Sequence, residues 1–326
     1  MRAGIIGISS FLPDKVISNA ELERIVDTTN EWIIERTGIL SRRKADVHIS
    51  SSDLGAEAAK LAIRDANLEP EDIDMIISAS SSPDCTFPAT ACIIQDKIKA
   101  KNAAAFDIQA ACTGFVYGLT TAVQYVMTGQ YKNILVVGSE VLSKVTDWQD
   151  RNTCVLFGDG AGAVVVSQVE TGGVISSILG ADGSGANLLE LPAGGTREPA
   201  SFETVENRRH FIKMNGNEVF KFAVKVFEDC TRKVVKKADL TLSDIDYIIP
   251  HQANVRIIDA ALKRLKFQRE RVIINLDKYG NMSSASIPVA LHEAFHTGRI
   301  KKGHKVVLVG FGAGLTWGAA LIDWNL

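Results

Sequence analysis

Asp72-Ile73-Asp74-Met75-Ile76-Ile77 returns later in the chain as Asp244-Ile245-Asp246-Tyr247-Ile248-Ile249, each time after a helical stretch and before a polar loop. Working outward, Asp107 precedes Cys112 by five positions and Asp277 precedes Met282 by the same five. Both segments run into an apolar helix ending at Thr-Gly (Thr128-Gly129; Thr297-Gly298), then a β-branched strand, Ile134–Gly138 or Val306–Gly310. Both then reach a glycine-rich turn, Phe157-Gly158-Asp159-Gly160-Ala161-Gly162 or Gly310-Phe311-Gly312-Ala313-Gly314. Shared order of this kind argues for a duplication. The expected fold is α/β with two halves packed back to back, residues 1–170 and 171–326. The halves are chemically unequal, because one apolar helix opens on a cysteine and the other on a methionine.

Further strands are expected at Met75–Ser78, Ala163–Ser167, Tyr247–Ile249 and Val272–Ile274. Ser18-Asn19-Ala20-Glu21 has the form of a capping box, and a helix is expected from Asp53 through Ala66. The polar, glycine-rich connection over about Thr171–Ala200 reads as turns or a short hairpin.

The 326 residues suit two halves better than one small core, and 46% apolar with 23% charged residues excludes disorder and coiled coil. A formal charge of −2, from 36 basic and 38 acidic side chains, gives no global attraction to nucleic acid. No apolar run reaches the ~20 residues of a membrane span, and the opening residues do not read as a signal peptide. Five cysteines, none in a CxxC pair, fit a reduced, cytoplasmic compartment. No clustered metal-ligand set is present, and the glycine-rich turns lead into strands, unlike a dinucleotide fingerprint, which needs a helix there.

Ala110-Ala111-Cys112-Thr113-Gly114-Phe115 places a thiol where a strand hands over to a helix. Unpaired N–H groups and the helix dipole favour a thiolate at such a position, so Cys112 is the candidate nucleophile. The plain alternative is a packing cysteine, the role expected of Cys92 and Cys230, while Cys85 and Cys154 sit in or beside loops. Of six histidines, His251 in Pro250-His251-Gln252-Ala253-Asn254 follows a strand in the opposite half. The others, His48, His210, His292, His296 and His304, lie in stretches suited to solvated roles. Asn281 occupies the turn before the second apolar helix, where an N-cap is the ordinary role. Related halves would bring Cys112, His251 and Asn281 together at their junction.

These motifs resemble β-ketoacyl-acyl-carrier-protein synthase III, the initiating condensing enzyme of type II fatty acid synthesis. The resemblance is carried by Asn30-Glu31-Trp32-Ile33 through Arg36-Thr37-Gly38, the Cys112 and Phe157–Ala161 segments, His251-Gln252-Ala253-Asn254, Gly280–Ser286, and Gly312-Ala313-Gly314-Leu315-Thr316-Trp317-Gly318. It implies the five-layered αβαβα thiolase fold, no cofactor or metal, and a homodimer. It further implies that Cys112 is acylated by a short acyl-CoA, with acetyl-CoA the expected donor. His251 and Asn281 then assist decarboxylative condensation with malonyl-acyl-carrier protein. The N–H groups of Cys112 and Ala313 would form the oxyanion hole, Ala313 standing where the family commonly has glycine. Thr28, Trp32, Arg36, Arg151, Gly216 and Asn254 would contact CoA or its pantetheine. Phe87 would close the acyl pocket from the partner subunit, and Lys221, Arg256, Lys263 and Arg264 would receive the acidic carrier protein. A Cys–His–Asn hydrolase, a sibling using other starters or extenders, and a non-catalytic binding homologue are the rival readings.

Overall fold

The computed structural model describes all 326 residues. The first sheet contains β1 (Ala3–Phe11), β2 (Met75–Ala79), β3 (Ala104–Ile108), β4 (Ile134–Val141) and β5 (Asp159–Gln168). Its strand order is β1-β5-β4-β2-β3. The second contains β6 (Gly173–Ala181), β7 (Tyr247–Pro250), β8 (Lys305–Gly312) and β9 (Thr316–Asp323), in the order β7-β8-β9-β6. Matching β6 to β1, β9 to β5, β8 to β4 and β7 to β2 superposes one order on the other. The place of β3 is taken by a single parallel bridge, Ile248 to Val272, so the strand expected at Val272–Ile274 does not form.

Alternation along the strands sends neighbours into different layers. In β2, Ile76 joins a core with α1 (Ser51–Asp65) and α2 (Thr90–Ile98), whereas Ile77 faces α3 (Gly114–Met127) between the sheets. In β8, Val306 and Leu308 face that central layer, while Val307 and Val309 face α4 (Gly216–Lys237) and α5 (Val255–Leu265). The second central helix is α6 (Ser286–His296). The result is five layers, αβαβα. Strands covered on both faces carry unbroken apolar runs, as Ile134–Val137 of β4 and Val306–Val309 of β8 do. Each fully buried valine or leucine there contributes about 1.5–3 kcal/mol.

The Ser18 capping box forms, on the short helix Asn19–Leu22, and α1 begins at Ser51, two residues before the expected start. The 171–200 connection differs from expectation: its first part is the nine-residue edge strand β6. Gly172 and Gly173, at φ +70° and +94°, and the serine pair Ser176-Ser177 hide the strand pattern. Cys92 also departs from its packing role, being exposed on α2, whereas Cys230 and Cys154 are buried.

The register of the duplication is corrected as well. Ala111 and Ser283 both adopt left-handed backbone, at φ +47° and +43°, one residue into the turns that feed α3 and α6. The counterpart of Cys112 is therefore Ser284, not Met282. Asp107 ends β3 and caps α2 through the Thr90 and Ala91 N–H groups, while Asp277 lies in the helical turn Leu276–Tyr279. The two aspartates are unrelated, and their equal spacing is coincidence.

Candidate active site

Cys112 sits in the 3-10 turn Ala111–Thr113, one turn short of α3, at the centre of the molecule. A Cβ on Gly312 would fall 2.7 Å from the Cys112 nitrogen, so only glycine lets β8 pass this close. The thiol is not the activated thiolate that a helix start suggests. Burial pushes it up to about 12 and the Glu140 carboxylate adds to the rise, against the favourable Ser283 side chain. At neutral pH Cys112 therefore rests as a thiol.

His251 follows β7, its N–H donating to the Val309 carbonyl at 2.8 Å and its ring edge-on to Phe311 at 5.5 Å. Burial pulls the imidazole down to about 3, and Nδ1 has no partner within the chain. It is therefore neutral at pH 7, with one nitrogen to donate and one to accept.

Asn281 is held by its backbone against the segment 156–158. Its N–H donates to the Leu156 carbonyl and its carbonyl accepts from the Gly158 N–H, both at 2.9 Å. Its Oδ1 accepts from the Ser283 N–H at 2.8 Å, which leaves the Nδ2 donor for a ligand. It is not a helix N-cap.

Cys112, His251 and Asn281 line one cavity of about 210 Å³, walled by apolar side chains such as Leu189, Phe220, Phe222 and Leu315. Trp32, Arg36, Gly216, Asn254 and Ala313 line it too. Ala313 avoids positive φ, so its methyl group costs no backbone strain. Asn254 caps α5 through the Arg256 N–H and donates Nδ2 to the Arg36 carbonyl at 2.9 Å, fixing the helix Asn30–Thr37 beside it. Arg151 stands outside the cavity lining, with its guanidinium 5.0 Å over the Trp32 ring. Thr28 also lies outside it, and its hydroxyl is buried without a partner. Arg256 lies 6.0 Å over Phe220 at the cavity rim. Lys221 and Arg264 pair with Glu218 and Glu228, while Lys263 makes no ion pair. Phe87 is not in the cavity: it is 83% exposed on this chain. Of the other histidines, His292 is not solvated as expected. Its Nδ1 is 2.8 Å from the Ser10 hydroxyl, and burial lowers it to about 4.

Ser283 and Glu140 escaped sequence reasoning. Ser283 touches both ends of the site, through Asn281 and the thiol. Its left-handed backbone, unusual for serine, had no signal in composition or spacing. Glu140 reads as an ordinary strand-end acid.

Residues 106–183 match the family described as 3-Oxoacyl-[acyl-carrier-protein (ACP)] synthase III, and residues 235–324 match its C-terminal model. The chain is 58% identical over its full length to the beta-ketoacyl-[acyl-carrier-protein] synthase III of Caldanaerobacter subterraneus, 98% of which is covered. The chain belongs to this family. Another relative, the synthase III of Natranaerobius thermophilus, is 56% identical, with 99% of each chain covered. The solved structure of 3-oxoacyl-[acyl-carrier-protein] synthase III from Aquifex aeolicus aligns with a TM-score of 0.91 at 45% identity, covering 99% of this chain and 100% of that one. This synthase III therefore has the thiolase fold, and it is an acyltransferase, the initiating condensing enzyme of fatty acid synthesis. None of its helices is long and apolar enough to cross a membrane.

Proposed function

We propose that Cys112 is the nucleophile, that His251 and Asn281 are the enolate-stabilising pair, and that the starter is a short acyl-CoA, acetyl-CoA above all. The observation that carries this reading is the convergence of these three side chains on one narrow, apolar-walled cavity. The Cys112 sulfur attacks the thioester carbonyl, forming a new S–C bond, and CoA leaves with the thiol proton. The neutral His251 ring accommodates that transfer because it has a free acceptor nitrogen. The N–H groups of Cys112 and Ala313 receive the oxyanion, each such donor worth about 3 kcal/mol in the transition state.

Malonyl-acyl-carrier protein enters next. Its C–CO2 bond breaks, and the electron pair becomes a thioester enolate whose oxygen accepts from His251 and the Asn281 Nδ2. The enolate carbon attacks the acyl-Cys112 carbonyl, expelling the sulfur, which regains a proton. The products are CO2 and the 3-oxoacyl carrier protein. Every electron pair is supplied by substrate or sulfur, so this chemistry asks for neither metal nor cofactor.

Trp32, with Arg151 over its ring, and Arg36 are assigned to the CoA nucleotide; Gly216, Asn254 and Thr28 are assigned to pantetheine. Arg256, Lys263, Lys221 and Arg264 beside the rim are assigned to the acidic carrier protein. Phe87 is assigned to the acyl pocket of a second copy in a C2 dimer, where it would favour acetyl over branched starters. A cytoplasmic location and the division at residue 170, between β5 and β6, complete the reading. The test compares product formation from acetyl-, isobutyryl- and longer acyl-CoA with malonyl carrier protein. The expected result is a clear acetyl preference and an acyl-enzyme that persists without the malonyl substrate. Rapid return to free thiol in its absence would indicate a hydrolase instead.

A further inference from the structure

Arg42 is fully buried and forms no ion pair, although the Glu21 carboxylate lies near enough to favour its charge. Its Nη1 donates to the Ile17 carbonyl at 3.2 Å and to the Asn19 Oδ1 at 2.9 Å, and its Nη2 donates to the Val155 carbonyl at 2.8 Å. Nε has no partner at all. Burial lowers the group to about 10, which still leaves it charged at neutral pH. A buried cation held only by neutral acceptors is costly, so its retention asks for a reason beyond packing.

That reason lies in what Arg42 supports. Its Cβ lies 3.2 Å from where a Cβ would stand on both Gly158 and Gly280. Val155, which accepts from Nη2, leads directly into Leu156, Phe157 and Gly158, the segment that holds the Asn281 backbone from both sides. Gly280, at φ +68°, immediately precedes Asn281 and would strike the Leu156 carbonyl if it carried a Cβ. Two glycine-containing segments thus run side by side, with Phe157 and Asn281 in a parallel β-bridge, and the Arg42 stem packs against both. We propose that Arg42 is a positioning residue that fixes the pairing of segments 155–158 and 280–281 and so aims the Asn281 carboxamide at the enolate oxygen. Cys112 stands on a different turn, packed against Gly312 of β8.

The inference rests on the role proposed for Asn281, and the test separates the two. Arg42→Lys and Arg42→Met are compared with wild type and Asn281→Ala in two half-reactions. One is acylation of Cys112 by acetyl-CoA, read by intact mass; the other is CO2 release from malonyl carrier protein. The expected result is acylation within a few-fold of wild type and decarboxylation at least tenfold slower. Combining Arg42→Lys with Asn281→Ala is expected to be no slower than Asn281→Ala alone. Equal loss in both half-reactions, unchanged decarboxylation, or an additive loss in the double variant would overturn the positioning role. So would failure of both Arg42 variants to fold, since Arg42 would then be scaffold only. If Asn281→Ala itself leaves decarboxylation unchanged, the role of Asn281 is what fails.

Discussion

The turn at Cys112 and the turn at Ser284 have almost the same backbone and opposite fates. Each follows a residue with ψ near zero (Ala110 at ψ 27° or Met282 at ψ 29°) and passes through a left-handed one (Ala111 or Ser283) before entering a central helix. Facing them, β8 and β4 are equivalent strands, and Gly312 occupies the place that Glu140 occupies in the other half. Beside Cys112 there is no side chain, and a cavity opens. Beside Ser284 the Glu140 carboxylate fills the space, accepting from the Ser284 hydroxyl at 2.7 Å and from the Ser81, Ser82 and Ser284 N–H groups. The duplication supplies two elbows. The missing side chain leaves a cavity at one, and burying a satisfied acid makes the other a joint.

The largest expected effect comes from Cys112→Ala, which removes acyl transfer by on the order of 10³-fold or more in a single-turnover assay. Asn281→Ala spares acylation and slows malonyl decarboxylation by roughly 10²-fold, the usual cost of one oxyanion donor. Swapping the logic of the two elbows sharpens the contrast. Gly312→Ala forces a methyl group against the Cys112 nitrogen, which slows acylation by about 10²-fold and costs about 1–3 kcal/mol of stability because backbone must shift. Glu140→Ala instead costs about 3 kcal/mol or more in denaturant melts, because several buried donors lose their acceptor, while acylation per folded molecule changes only a few-fold.

A smaller effect is pH-linked. His251 stays neutral in the folded chain down to about 3, while an unfolded imidazole takes up its proton near 6.5. The unfolded state therefore binds more protons below pH 6.5, and stability falls as the pH is lowered, by roughly 1–2 kcal/mol at pH 5 from this group. His251→Gln, which cannot protonate, should flatten the decline of stability between pH 7 and 5.

Much of this was legible before any coordinates. The repeated Asp-Ile-Asp stretches sit at the heads of β2 and β7, and the short β-branched runs marked the strands at Ile134–Gly138 and Val306–Gly310. Cys112 and His251 stood just after strands and Asn281 in the turn before a central helix, where related halves meet at a shared junction. What stayed hidden depended on contacts across long sequence distances. The two-residue register error arose because an aspartate ending a strand and one in a helical turn look alike as letters. The raised Cys112 thiol follows from burial and from Glu140, which only the folded sheets bring near. Phe87 fills no cavity of this chain, being exposed on its surface.

The most direct measurement is peptide-resolved mass spectrometry of the protein after exposure to acetyl-CoA and again after adding malonyl carrier protein. One acetyl group per chain, on Cys112 alone and discharged by the second substrate, is the predicted result. An unmodified Cys112, or an acetyl group carried productively elsewhere, would contradict the account.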